Sequence, residues 1–396
     1  MFRFNKLCKI HVPCQVSLLL GSLLLFALLP YVSLFGVKPW YISIFASGVF
    51  FLNKGNIKIP NCPVFILIIW SIIVSLTSGL VFFGIQRQFV NYCLAIPLIS
   101  FTYSFVLIMG KARTEKVARN VALIFATLIL INTVRQIDLI MKYLASSYLN
   151  HPEIESISVG GFNLDATWLA IFSVLFCSSK YKYLFLGYSF LISGLYNCRV
   201  AIIVDIFILF WFMYKDKKNI KKIIMLICGV FPILLFVASN TNTFEKVITR
   251  FSGIGSMEEA GSLGRLRMWI NVPDVISNYP FGVGMGNSIG ALIKVSGYPY
   301  DDANFHNLIM EFFGQTGIVG GIIYLSLIIT LFIYTWKIRK RIAPFHMMLC
   351  CYVLAGMFEF SGCESFIFLV VGLFWGVYKI DNKTIKERYL TGNKTV

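Results

Sequence analysis

The chain is a succession of apolar runs of about 15–25 residues, set apart by short basic punctuation. A helix of about 20 residues, at about 1.5 Å per residue, crosses a hydrocarbon layer about 30 Å thick. This patterning constrains the fold more than any single residue does. In lipid every backbone polar group must find its partner within the protein, which leaves helices and closed barrels. Barrel strands alternate in polarity over about ten residues, and runs such as VSLLLGSLLLFALL do not. Only 13% of the 396 residues are charged, 58% are hydrophobic, and the mean hydropathy is +0.77. So few charges cannot cover a soluble surface of this size. The expected fold is an all-α polytopic membrane protein, one integral membrane domain over residues 1–396.

Length and apolarity predict about twelve spans, near 14–35, 38–52, 63–83, 89–109, 118–143, 162–179, 183–198, 200–214, 222–239, 306–336, 344–361 and 365–379. The second, seventh, eighth and twelfth are short. With the N-terminus inside, the inside loops and tail collect 25 of the 35 Lys and Arg residues, the bias the positive-inside rule demands. Both termini are then inside. The basic start MFRFNKLCKIHVPC leads into a long apolar run with no A-x-A site, and reads as an uncleaved first helix. Two outer loops are long, near 144–161 and 240–305. The second lies between spans nine and ten, contains Trp269 and the helical-looking GRLRMWINV, and reads as an ordered segment on the membrane. No internal repeat of the kind seen in inverted-repeat transporters is evident.

A net charge of +17 would suggest nucleic acid on a soluble chain. Here the basic residues sit between apolar runs, where contact with anionic lipid explains them. The ten cysteines have neither metal spacing nor a disulfide pattern. Cys350 and Cys351 are adjacent in an apolar run, and Cys93, Cys177 and Cys228 read as small membrane-buried residues.

The basic residues away from the inside loops carry the functional signal. Arg199 stands between YLFLGYSFLISGLYNC and VAIIVDIFILFWFMY, where a guanidinium costs about 2.5–3.5 kcal/mol on the insertion scale. An anionic substrate is the obvious counter-charge. Arg265 and Arg267 lie in the long outer loop after Lys246 and Arg250. Arg135, with Asp138 three residues on, reads as an internal ion pair. His306 sits where the loop turns into the tenth span, among Asp301, Asp302, Asn304 and Asn307. A neutral imidazole there can take a proton from a sugar hydroxyl. Glu311, five residues on, would point to another side of a regular helix. Glu359 and Glu364 flank the last outer turn and either approach the same mouth or are solvated. The glycines of NYPFGVGMGNS, at 282, 284 and 286, lack dinucleotide spacing. They let the backbone approach either a neighbour or a ligand, Gly284 and Gly286 being the candidates for substrate contact.

Three elements occur in order: NCRVAII; SLGRLRMWINV followed by YPFGVGMGNS; and FHNLIMEFFGQTGIVGG opening a long apolar run. Together they resemble the family of O-antigen ligases and Wzy-type O-antigen or capsule polymerases. The resemblance covers residues 190–335 in motif and the whole chain in topology. It implies a GT-C-like, inverting membrane glycosyltransferase that needs neither metal nor any other cofactor. The donor it implies is a glycan on undecaprenyl diphosphate, used at the periplasmic side of the bacterial inner membrane. By position, Arg199 matches the family's first arginine, although Cys198 and Val200 flank it where small residues, Gly or Ala are usual. Arg265, four residues before Trp269, matches the second arginine, with Arg267 competing. His306 matches the histidine of the H-N motif. Catalytic roles fall on His306, Arg199 and Arg265. Substrate contacts fall on Arg267, Asn307, Gly284, Gly286 and Asp302. Implied partners are lipid-linked donor and acceptor, membrane lipids and a chain-length regulator protein, with no nucleic acid.

These roles are chemically sound. A departing lipid diphosphate needs fixed cations, and arginine forks bind its oxygens bidentately. No carboxylate pair at glycosidase spacing stands out. Polymerisation of repeat units is the leading expectation, and ligation to lipid A-core, which uses the same donor, is the alternative. A flippase for the lipid-linked unit would spread charges along a central cavity. Here they gather at one outer face.

Overall fold

The structure, a computed structural model, describes residues 2–29, 32–33, 37–54, 57–145, 154–158, 161–216, 260–300, 304–337, 344–360, 362 and 364–390. The expected ninth span and the residues Cys228, Lys246, Arg250, Asp301 and Asp302 lie outside them. Among the described residues there is no strand. The helices are α1 (Phe2–Leu28), α2 (Pro39–Lys54), α3 (Val64–Phe82), α4 (Arg87–Met109), α5 (Lys111–Arg135), α6 (Ile137–Ala145) and α7 (Phe162–Phe176). They continue as α8 (Lys182–Leu195), α9 (Arg199–Lys215), α10 (Ala260–Asn278), α11 (Ser288–Ser296), α12 (Leu308–Lys337), α13 (Pro344–Gly356) and α14 (Ser365–Leu390). Among the described residues, five helical stretches are long and apolar enough to cross a membrane: α3, α4, α5, α12 and the Ser365–Asn382 part of α14. The apolar parts of α1, α7 and α13 are shorter.

The chain divides into two compact units, one of Met1–Leu123 with Val272–Val396 and one of Ile124–Asn271. In the first, α14 packs most extensively on α4. Gly376 makes the close approach possible, since a Cβ there would meet the Val106 Cβ at 2.6 Å. Phe51, Phe101 and Phe105 extend this core, with ring centroids 4.8–5.4 Å apart between Phe51 and the other two. Helix α3 carries one π turn at Ser75–Gly79, a device frequent at functional sites.

Helix α12 is not continuous. Gly317 has φ 69° and ψ −170°, so a short helix and a long one meet there. The expected tenth span near 306–336 corresponds to the candidate span Leu308–Lys337, which carries this break within it. Its cause is local pairing. The carbonyls of Gly314 and Gln315 accept from Val283 N and Gly284 N at 3.3 and 2.9 Å, and that of Thr316 accepts from Trp70 Nε1 at 2.8 Å. Ile318 N donates to Pro280 O at 2.9 Å. These bonds replace the helical ladder that the break gives up.

In the second unit α7 packs on α8 and α9. Phe176 stacks on Phe185 at 4.0 Å, and Phe125 meets Phe172 edge-on at 5.5 Å. Asp205 of α9, fully buried, accepts from Ser189 and Ser193 of α8 at 2.8 and 2.9 Å. A carboxylate inside an apolar run and two serines at i, i+4 in the preceding run were the signal for this join, and periodicity alone passes over it. The expected Arg135–Asp138 pair does not form as a helical pair. The chain turns at Gln136, between α5 and α6, and Arg135 instead pairs with Glu155 at 2.5 Å. Both side chains are 67% exposed, so the pair contributes at most about 1 kcal/mol.

Candidate active site

His306 is held in a left-handed turn. Its φ is 53°, a conformation L-residues rarely adopt. Its backbone N–H donates to Asn304 Oδ1 at 2.7 Å, and that of Phe305 donates to Glu311 Oε2 at 2.7 Å. Phe305 is fully buried, its ring seated where a side chain at Gly314 would stand: a Cβ there would lie 2.8 Å from Phe305 Cε2. Asn307 is the N-cap of α12, its Oδ1 accepting from Ile309 N and Met310 N at 3.0 and 3.2 Å. Its Nδ2 donates to Met357 O at 3.3 Å, tying the turn to the end of α13. The imidazole is thus fixed at its backbone from both sides.

Glu311 is the hub of this unit's cluster. His306 lies ahead of α12 rather than on it, so helical counting from His306 fails. Only 1% exposed, Glu311 accepts from Ser288 Oγ at 2.5 Å, from Gln315 Nε2 and from Phe305 N. Ser288 begins α11, directly after NYPFGVGMGN. The carboxylate therefore joins the glycine segment, the histidine turn and the first turns of α12. Three donors on one buried carboxylate satisfy it.

The glycine segment earns its composition by packing. Gly282, Gly284 and Gly286 have φ of 91°, 85° and 85°. A Cβ at Gly282 would lie 2.5 Å from Gln315 O, one at Gly284 2.8 Å from Gly79 Cα, and one at Gly286 2.6 Å from Gln88 Oε1. Met285 N donates to Ser75 Oγ at 2.9 Å, within the π turn of α3. Of the two readings of these glycines, close approach to a neighbour is what the structure displays. Glu364, at the last outer turn, accepts from Tyr352 OH at 2.6 Å.

In the second unit Arg199 is half-buried and opens α9. The turn before it is tight: Asn197 N donates to Gly194 O at 3.0 Å and Cys198 N to Ser193 O at 2.9 Å. Asn197 has φ 49°. Among the described non-glycine residues, only Asn197 and His306 take positive φ. Such strain persists where the surroundings impose it, and it clusters at functional sites. Tyr196, fully buried, anchors the turn through Thr133 at 2.8 Å and against the ring of Phe162 at 5.6 Å. Asp165, also fully buried, holds the segment before α7 by accepting from Ile157 N and Ser158 N at 3.0 and 2.8 Å. A cation at a helix N-terminus opposes the helix dipole. Helix N-termini favour anions, and Arg199 adds its charge at the start of α9.

Arg265 and Arg267 part company on α10. Arg265 is half-buried and lies three residues before the fully buried Met268, on the face that continues with Val272. Arg267 is exposed.

Residues 166–325 match the family model described as O-antigen ligase. The matched span contains Arg199, Arg265, Arg267, the glycine segment, His306, Asn307 and Glu311. The resemblance read from three ordered motifs is thereby found independently. The match spans 160 of the 396 residues, and together with the apolar helices it supports a multi-pass membrane protein carrying a segment similar to O-antigen ligases. A comparison with curated proteins gives no match.

Proposed function

We propose that this protein polymerises lipid-linked O-antigen or capsular repeat units at the periplasmic face of the bacterial inner membrane. It does so as a twelve-span, GT-C-like glycosyltransferase that inverts the anomeric centre. The acceptor sugar's hydroxyl attacks the anomeric carbon of the donor glycan, the bond from that carbon to the lipid diphosphate breaks, and His306 takes the hydroxyl proton. Arg199 and Arg265 bind the diphosphate as its charge grows, which is the largest stabilising effect open to such a site. Arg267 and Asp302 take part in binding the substrate. Asn307, Gly284 and Gly286 shape the histidine turn and its surroundings. The donor and acceptor are undecaprenyl-diphosphate-linked oligosaccharides, and a chain-length regulator protein is a partner.

The observation that carries this reading is the family match over 166–325, which encloses all three proposed catalytic residues in their expected order. The strained backbone at His306 and just before Arg199 supports it. Ligation of the glycan to lipid A-core is the second reading, favoured by the description of the matched family. A lipopolysaccharide gel of a deletion strain separates the two. Core carrying a single repeat unit is the expected result. Bare core alongside free polymer would assign ligation instead, and an unchanged ladder would remove both.

A further inference from the structure

In the second unit α8 and α9 form a hairpin of two apolar helices, with Arg199 at its turn. Hydrophobic packing alone fixes neither helix about its axis, because it is non-directional. Directional bonds join the two helices at three levels. At the end away from Arg199, Asp216 pairs with Lys182 and accepts from Tyr183 OH at 3.1 Å. At mid-height Asp205 accepts from Ser189 Oγ and Ser193 Oγ at 2.8 and 2.9 Å. At the turn Cys198 N donates to Ser193 O at 2.9 Å. Ser193 takes part in two of the three, once through its hydroxyl and once through its carbonyl. Cys198 is the N-cap of α9 and directly precedes Arg199. An unbroken path runs from the Asp205 carboxyl through Ser193 and the Cys198 amide to the residue that presents the guanidinium.

Stability does not account for Asp205. It is fully buried between two apolar runs, where a carboxyl group is costly. Among the described residues no cation pairs with it. Replacing such a group by an apolar one is often neutral or stabilising, and the best-attested use of a buried polar group is to fix how elements register. The two serines could do without it, since a helical serine hydroxyl can donate to the carbonyl four residues back. Ser71 and Ser75 of α3 do so at 2.8 and 2.7 Å. Asp205 instead draws both hydroxyls across to α9. It lies six residues beyond Arg199, about 9 Å along the helix.

We propose that Asp205 is a positioning residue for Arg199: by holding Ser193 it fixes the turn from which α9 and its guanidinium start. The proposal rests on the glycosyltransferase reading for the task of Arg199, and one arm of its test needs no transfer. That arm is hydrogen–deuterium exchange of the full-length protein in nanodiscs. Asp205→Val should speed exchange of the amides of Asn197, Cys198 and Arg199 several-fold and leave α12 and the histidine turn at parent rates. Asp205→Asn can accept from one serine and donate to the other, so it should exchange like the parent. Ser193→Ala, a milder change, should also loosen the turn, and it decides if Asp205→Val does not fold. The second arm is the initial rate with a synthetic lipid-linked repeat unit. Asp205→Val should slow transfer about 10²-fold, the scale of a misplacement near 1 Å. In an Arg199→Ala background it should slow transfer hardly further, because a residue that acts through another has no separate effect. Parent-like exchange of the turn in both Asp205→Val and Ser193→Ala, or losses that multiply in the double variant, would overturn the proposal. So would Asp205→Asn behaving like Asp205→Val, which would make charge rather than hydrogen-bond direction the requirement. Full-rate transfer by Arg199→Ala, with a loosened turn in Asp205→Val, would instead overturn the arginine's part in the glycosyltransferase reading alone.

Discussion

Phe305 and Glu311 are joined by a 2.7 Å hydrogen bond in which the amide just before His306 donates to a buried carboxylate. The same carboxylate accepts from Ser288, so the glycine segment and the histidine turn share one anchor. Changing that anchor separates positioning from chemistry. Glu311→Leu leaves the Phe305 N–H unpaired in an apolar place and should lower stability by about 1–3 kcal/mol. Glu311→Asp should restore part of it. Thermal unfolding of the purified protein, beside polymer length on a gel, checks both. If Glu311→Leu unfolded like the parent and made full-length polymer, the hub role would be wrong.

The strain at His306 predicts an unusual ranking. His306→Ala keeps a side chain at φ 53°, whereas His306→Gly removes the penalty. The glycine variant should be more stable than the alanine variant by about 1 kcal/mol. Both should be inserted yet fail to extend the glycan. Normal long polymer from either would remove the general-base assignment.

Close packing rather than substrate contact is tested at Gly282 and Gly297. A Cβ at Gly282 meets Gln315 O and Gly317 N, both at 2.5 Å, while Gly297, at φ 67°, has open space around it. Gly297→Ala should therefore cost about 1 kcal/mol of backbone strain alone. Gly282→Ala should cost overpacking of about 1–3 kcal/mol in addition. Denaturation midpoints of the two variants in one detergent decide this. Equal losses would contradict the packing account.

The two arginines of α10 should behave differently. Arg265→Ala should slow transfer about 10²–10³-fold, as when one donor to a developing oxyanion is lost. Arg267→Ala, at an exposed position, should change it far less. Arg199→Lys keeps the charge but loses the bidentate fork, and should fall between Arg199→Ala and the parent. Initial rates with a synthetic lipid-linked repeat unit provide the comparison, and reversal of the Arg265 and Arg267 effects would exchange their roles.

Much of the fold was legible because lipid leaves few options. Apolar runs had to be helices, and the short runs near 183–198 and 200–214 are the helices α8 and α9 on either side of Arg199. What escaped were places where the chain leaves the helical period. The bond from Phe305 N to Glu311 could not be read by counting residues, because counting assumes one helix and the left-handed turn at His306 breaks that assumption. Arg135 looked paired with Asp138 until the turn at Gln136 separated them. The glycines of NYPFGVGMGNS gave no hint of their partners, because the groups they approach lie some 30 residues later and some 200 earlier in sequence, at the backbone of Gln315 and Gly79 and the side chain of Gln88.

The sequence by itself determined the solvent and the chemistry available. Composition and run length demand a bilayer, and the guanidinium and imidazole groups, in their order, are chemical choices visible in one dimension. Tertiary structure alone decided which groups are held, and by what. The break at Gly317, the seat of Phe305 under Gly314 and the three donors on Glu311 depend on contacts that only the folded chain makes. Hydrophobic patterning is local and non-directional, whereas a hydrogen bond or a close glycine contact has a partner and a direction that only the folded chain supplies.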